Sequence, residues 1–201
     1  MSNKPHRKMN PRVRALITES IFVKQQILQD EKLLMVVNNV AEITTIGLKE
    51  NKKVLFCGNG GSAADAQHLA AELSGRYYLD RAPLFAEALH VNASYLTAVA
   101  NDYGYDEVYA RLVRSKGAQG DVLFALSTSG NSENILRAIN EAKKRSMIVI
   151  GMTGKTGGKM VDACDYLINI PSTDTPRIQE CHIMLGHLIC ELVEAAIFGG
   201  A

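Results

Sequence analysis

From Pro11 to about Leu28 the apolar residues Val13, Leu16, Ile17, Ile21, Phe22 and Val23 recur near helical spacing, and a second helical pattern runs from Lys32 to Lys49. Together they predict a helical lead-in over residues 1–50. Beyond it the pattern changes. Short β-rich runs, KVLFC (53–57), LFAEAL (84–89), DVLFAL (121–126), MIVIGM (147–152) and YLINI (166–170), alternate with helical stretches. That alternation predicts a parallel sheet covered by helices on both faces. The last segment, Pro176 to about Phe198, is helical in spacing and nearly free of Lys and Arg after Arg177. With Ile183, Met184, Leu188, Ile189, Leu192, Val193 and Ile197 it is more apolar than a one-sided surface helix requires, which predicts burial between subunits. No repeat or low-complexity linker interrupts the chain, so residues 51–201 read as one unit with the lead-in.

Composition narrows the picture only slightly. A chain of 201 residues that is 47% hydrophobic suits one domain with a substantial core. With 22 basic and 21 acidic residues the net charge is +1, so no overall field draws the chain to nucleic acid or to an anionic membrane. Locally, Lys4, Arg7, Lys8, Arg12 and Arg14 crowd with His6, as a solvated end or a nucleic-acid arm. Cys57, Cys164, Cys181 and Cys190 form no CxxC pair and follow no secretory segment. Reduced thiols in a cytoplasm are the expectation. No apolar run is expected to reach the roughly 20 residues that span a bilayer.

The chemistry concentrates in three places. KVLFC runs into GNGGS and a helix, a strand–turn–helix whose exposed N–H groups favour an anion or a polar ligand group. Ser62 and Asp65 have capping-box spacing there. Gly58, Gly60 and Ala63 also satisfy G-x-G-x-x-A, but the next strand ends at His90 where a dinucleotide site would place a ribose-binding acid. TGKTGGK (153–159) lacks the first glycine of a Walker loop and reads as a mobile glycine loop. DVLFAL runs into STSGNS (127–132), where Ser127, Thr128, Ser129 and Ser132 exceed what one helix cap uses and suit a phosphate cup without a lysine. His68 and Glu72, four apart, share a helix face, as a surface pair does. Their helix leaves the glycine turn, which makes them site candidates. The last helix offers Gln179, Glu180, His182 and His187, and spacing alone does not choose among them for a metal.

These stretches, CGNGGS, HLAAELSGRY, AVANDYGYDEVYAR, STSGNS, MTGKTGGKM and RIQECH, resemble in order the sugar isomerase domain family and, within it, the phosphoheptose isomerases. The resemblance covers about 180 residues. It implies a flavodoxin-like three-layer fold with a five-stranded parallel sheet, assembled as a homotetramer around helices at the chain ends. The implied activity is conversion of sedoheptulose 7-phosphate to D-glycero-D-manno-heptose 7-phosphate through an enediol, the first step of nucleotide-activated heptose biosynthesis. The implied ligands of one Zn2+ are His68, Glu72, Gln179 and His187, with Glu72 and His187 catalytic. The implied substrate contacts are Asn59, Gly60, Gly61, Ser62, Glu72, Arg76, Asn101, Asp102, Ser127, Thr128, Ser129, Ser132 and Gln179. Ala63 and Ala64 depart from the larger residues of many isomerases and resemble a non-catalytic relative that binds a bacterial replication initiator. That relative lacks the glutamate and last histidine found here, and has an arginine in place of Ser129.

Overall fold

The computed structural model describes residues 9–199. His6 and the basic residues Lys4, Arg7 and Lys8 lie outside them. Helix α1 (Pro11–Gln29) starts where Asn10 accepts from the Arg12 N–H and proline occupies the first turn. Asp30 closes it and caps α2 (Glu31–Lys49) through the Leu33 N–H, so one residue makes both the stop and the start.

Five strands follow: β1 (Val54–Gly58), β2 (Ala86–Ala88), β3 (Val122–Leu126), β4 (Ile148–Thr153) and β5 (Tyr166–Asn169). All pair in parallel, in the order β2-β1-β3-β4-β5. This is the flavodoxin-like order the resemblance implied. The run LFAEAL is shorter than its pattern predicts, because β2 is an edge strand that pairs only with β1, from Ala86 to Ala88.

Side chains alternate between the two faces. Val54, Phe56, Val122, Phe124, Ile150 and Met152 pack against α1, α2, α3 (Gly61–Ser74) and α7 (Thr175–Phe198). Leu55, Cys57, Leu123, Ala125 and Val149 pack against α4 (Ala93–Tyr103), α5 (Val108–Lys116) and α6 (Glu133–Lys144). Phe56 and Phe124, paired in register, stack with ring centroids 4.9 Å apart. The four cysteines are free thiols.

The 24-residue α7 is long and apolar enough to cross a membrane by length and composition, contrary to the expectation from the sequence. Its contacts account for the composition: Ile178, Leu185, Ile189 and Val193 lie in the core beside α2 and α3. Leu188 and Leu192 remain exposed, as do Val13, Leu16, Ile17, Ile21 and Phe22 of α1.

Strand order positions the site. From β1 the chain crosses to β2 on one side, whereas from β3 it crosses to β4 on the other. The loops leaving β1 and β3 therefore diverge and open a crevice at the carboxyl ends of the strands. These loops are the glycine turn and the hydroxyl loop.

Candidate active site

In the glycine turn Gly60 takes φ +56° and stands as the cap of α3. The expected capping box does not form. Because α3 begins at Gly61, Ser62 falls inside the first turn and is buried. Asp65 Oδ2 has no hydrogen-bond partner among the described residues; burial pushes this carboxyl up to about 6 against the lowering effect of His68. Asn59 is locked in a reciprocal amide pair with Asn134 of α6, at 2.9 and 2.8 Å, and its Oδ1 also accepts from Tyr105 at 3.2 Å. The buried Asn134, which sequence reasoning missed, ties the two loops together. The carboxamide of Gln179 lies against Gly61 so closely that a Cβ there would stand 2.5 Å from its Nε2.

The hydroxyl loop turns through Gly130 at φ +66°, where any side chain would strike the Gly157 backbone. Ser132 is the cap residue of α6, yet its side chain makes no capping hydrogen bond. Instead its Oγ is 3.1 Å from the Ser127 Oγ. Ser129 Oγ accepts from the Asn131 N–H at 3.2 Å. Capping thus does not account for these hydroxyls, and the loop keeps donors for an anion.

One turn apart on α3, His68 and Glu72 meet His187 of α7. His68 Nε2 is 3.0 Å from Glu72 Oε1 and 2.9 Å from His187 Nε2. Three ligand atoms, one from each residue, lie within 4.8 Å of one another. Half of the His68 side chain is exposed, against 24% of Glu72. His182, the other imidazole of α7, is buried in the opposite direction and bonds the Thr153 carbonyl at 3.2 Å. Burial pushes it down to about 4 despite that bond, so it sits in the core as a neutral ring. Glu180 is engaged elsewhere, with Ser20 and Arg177. Two facing imidazole nitrogens and a carboxylate oxygen form a donor set that fits zinc. Gln179, eight residues and about 12 Å of helix from His187, stands apart at the glycine turn. Arg76 is exposed just past α3. Asn101 and Asp102 are exposed at the end of α4, bonded to each other at 2.9 Å.

A buried acid on α7 escaped sequence reasoning. Glu194, 2% exposed, accepts from the N–H groups of Tyr77, Tyr78 and Leu79 and from Arg81 Nε, at 2.7–3.1 Å. Burial alone would push its carboxyl up, but these donors outweigh it and hold the group below its ordinary value. Arg81 in turn donates to the carbonyls of Leu73 and Glu72 at 2.8 and 2.9 Å, pinning the end of α3 that carries Glu72. An acid inside an otherwise apolar helical stripe was the available signal.

A profile of the SIS domain matches residues 20–154, starting within α1. The chain is 48% identical over 191 residues to phosphoheptose isomerase 2 of Campylobacter jejuni, covering 95% of each. It is 51% identical over 183 residues to the phosphoheptose isomerase of Mycobacterium tuberculosis, covering 91% of this chain and 93% of the relative. The structure of phosphoheptose isomerase from Neisseria gonorrhoeae matches with a TM-score of 0.86 at 44% identity, over 92% of this chain and 97% of the other. The chain belongs to the phosphoheptose isomerase family. The reading as a non-catalytic initiator binder, prompted by Ala63 and Ala64, finds no support in these relatives, all named as isomerases. Within the family frame, the described groups that come together are His68, Glu72 and His187, about 10–16 Å along α3 and α7 from the glycine turn where Gln179 lies.

Proposed function

We propose that this chain is an aldose–ketose isomerase that converts D-sedoheptulose 7-phosphate to D-glycero-D-manno-heptose 7-phosphate. The observation that carries the reading is the meeting of Glu72 with His68 and His187; the separate hydroxyl loop, whose Ser132 is unused for capping, supports it. Relatives named phosphoheptose isomerase at about half identity supply the substrate.

Moving the carbonyl from C2 to C1 requires a proton to leave C1, an enediol to form, and a proton to arrive at C2 while one leaves the C1 oxygen. Glu72 takes the C1 proton and His187 serves the neighbouring carbon. Its partial exposure leaves the Glu72 carboxylate open to substrate, and the fixed α3–α7 packing holds the base and the imidazole on one centre. Gln179, Asn59, Gly60, Gly61 and Ser62 form the turn side of the site, with Arg76, Asn101 and Asp102 as further substrate contacts. Ser127, Thr128, Ser129 and Ser132 take the phosphate. His68, Glu72 and His187 would hold Zn2+, with Gln179 as an outlying fourth candidate. When bound, the ion supplies a Lewis acid for the carbonyl oxygens.

Helix α1 and the exposed Leu188 and Leu192 present more apolar surface than a lone domain leaves bare, which supports a homotetramer built on the chain-end helices; the four free cysteines suit a cytoplasmic setting. Leu192→Asp should dissociate the assembly and reduce activity, as read by light scattering with a parallel assay; a fully active monomer would overturn this part. The function itself is tested by incubating the metal-replete protein with sedoheptulose 7-phosphate, with and without chelator, and following phosphorus NMR. Turnover that chelator suppresses is expected. No turnover by the metal-replete protein would overturn the reading.

A further inference from the structure

The glycine loop after β4, set aside as a Walker lookalike in the sequence, is stitched to the hydroxyl loop. Gly154 N–H donates to the Thr128 carbonyl at 3.0 Å, and Lys159 N–H donates to Asn131 Oδ1 at 3.1 Å. The two loops also touch backbone to backbone, so that a Cβ on Gly158 would lie 2.5 Å from the Ser129 carbonyl oxygen. On its other flank, Lys155 N–H donates to the Ser172 carbonyl at 2.9 Å. The backbone of Lys155 is thereby fixed between the hydroxyl loop and the turn that precedes α7. The loop is an anchored wall of the site.

Thr128, Ser129, Asn131, Lys155, Ser172 and Thr173 line a cavity of about 250 Å3 at this junction. Among the described residues no carboxylate lines it. The Lys155 ammonium makes no ion pair or hydrogen bond with any described residue. The nearby cation Arg177 is already committed, at 2.6 Å to Glu180 and 2.8 Å to the Leu16 carbonyl. Hydroxyls and backbone amides can direct hydrogen bonds at a phosphate, but they carry no net charge to offset that of a dianion leaving water. Among the described residues, Lys155 is the one free positive charge lining the cavity for that task.

We propose that Lys155 is the phosphate-binding cation of this site, facing the hydroxyl loop across a subsite closed by Ser172 and Thr173. The inference deepens the isomerase reading, on which the identity of the phosphate's carrier rests. Ile178, which also lines the cavity, is nine residues from His187 on α7, about 13 Å along the axis. Lys155 thus serves the phosphate end of the substrate and takes no part in proton transfer. Its loss should act on binding, since phosphate contacts are made alike in the ground and transition states.

The test uses the full-length protein, Lys155→Met and Lys155→Arg, with thermal melts to show that each is folded. Inorganic phosphate is titrated calorimetrically, and steady-state kinetics are measured with sedoheptulose 7-phosphate at two salt concentrations. Lys155→Met should weaken phosphate binding by about 10-fold or more, as expected for loss of a charge-assisted contact. It should raise KM by a similar factor while kcat moves far less, and it should flatten the salt dependence. Lys155→Arg should recover most of the affinity. Wild-type turnover with unchanged phosphate binding and KM in folded Lys155→Met would overturn the Lys155 assignment and leave the isomerase reading intact. A fall in kcat at constant KM would also overturn it. Lys155-dependent phosphate binding without turnover of the heptose phosphate by wild-type protein would support the subsite and sink the isomerase reading instead.

Discussion

Two glutamates, Glu72 and Glu194, sit on adjacent helices and are treated in opposite ways. Glu194 is buried and meets three backbone N–H groups and a guanidinium, so both of its oxygens are occupied by donors. Glu72 is partly open, and its side chain faces two imidazoles. A fully satisfied carboxylate is a structural fixture whose proton affinity is held down. One left partly open against two imidazoles is available for chemistry. The two are linked, because Arg81 bonds both Glu194 and the backbone carbonyl of Glu72. The structural acid therefore frames the one proposed as the base.

The largest effect that separates them is on stability. Glu194→Leu leaves Arg81 buried without its partner and should cost about 3–5 kcal/mol, seen as a large drop in the denaturant midpoint. Glu72→Gln should change that midpoint by much less, and equal losses at the two sites would erase the distinction drawn here. A smaller effect follows with pH. The folded-state pKa of Glu194 lies below its unfolded value, so its contribution is present above the ordinary carboxylate range and is lost as pH falls through the depressed value. Wild-type protein should lose stability along that acid limb, and Glu194→Leu should show a shallower limb in urea melts across the same pH range.

The layered fold was legible because strands buried on both faces read as continuous apolar runs, as in DVLFAL and MIVIGM. What the sequence hid depended on neighbours. Ser62 and Asp65 had the spacing of a capping box, but the left-handed Gly60 set the start of α3 and turned Ser62 inward. His182 and His187 are about 140° apart around α7, and only the packing of that helix on β4 and α3 shows which imidazole is buried and which meets Glu72. The hydroxyl loop stood out in the sequence by composition alone, as four hydroxyls in six positions. The lysine that faces it comes from a different strand's loop, and no linear spacing points to it.

The proposed isomerisation turns on Glu72 acting as a base and not as a fixture of the fold. Folded, metal-replete Glu72→Gln, compared with wild type by phosphorus NMR at saturating sedoheptulose 7-phosphate, tests it most directly. A fall in kcat of at least about 100-fold, with substrate binding retained, is expected. Near-normal turnover by the variant would contradict it.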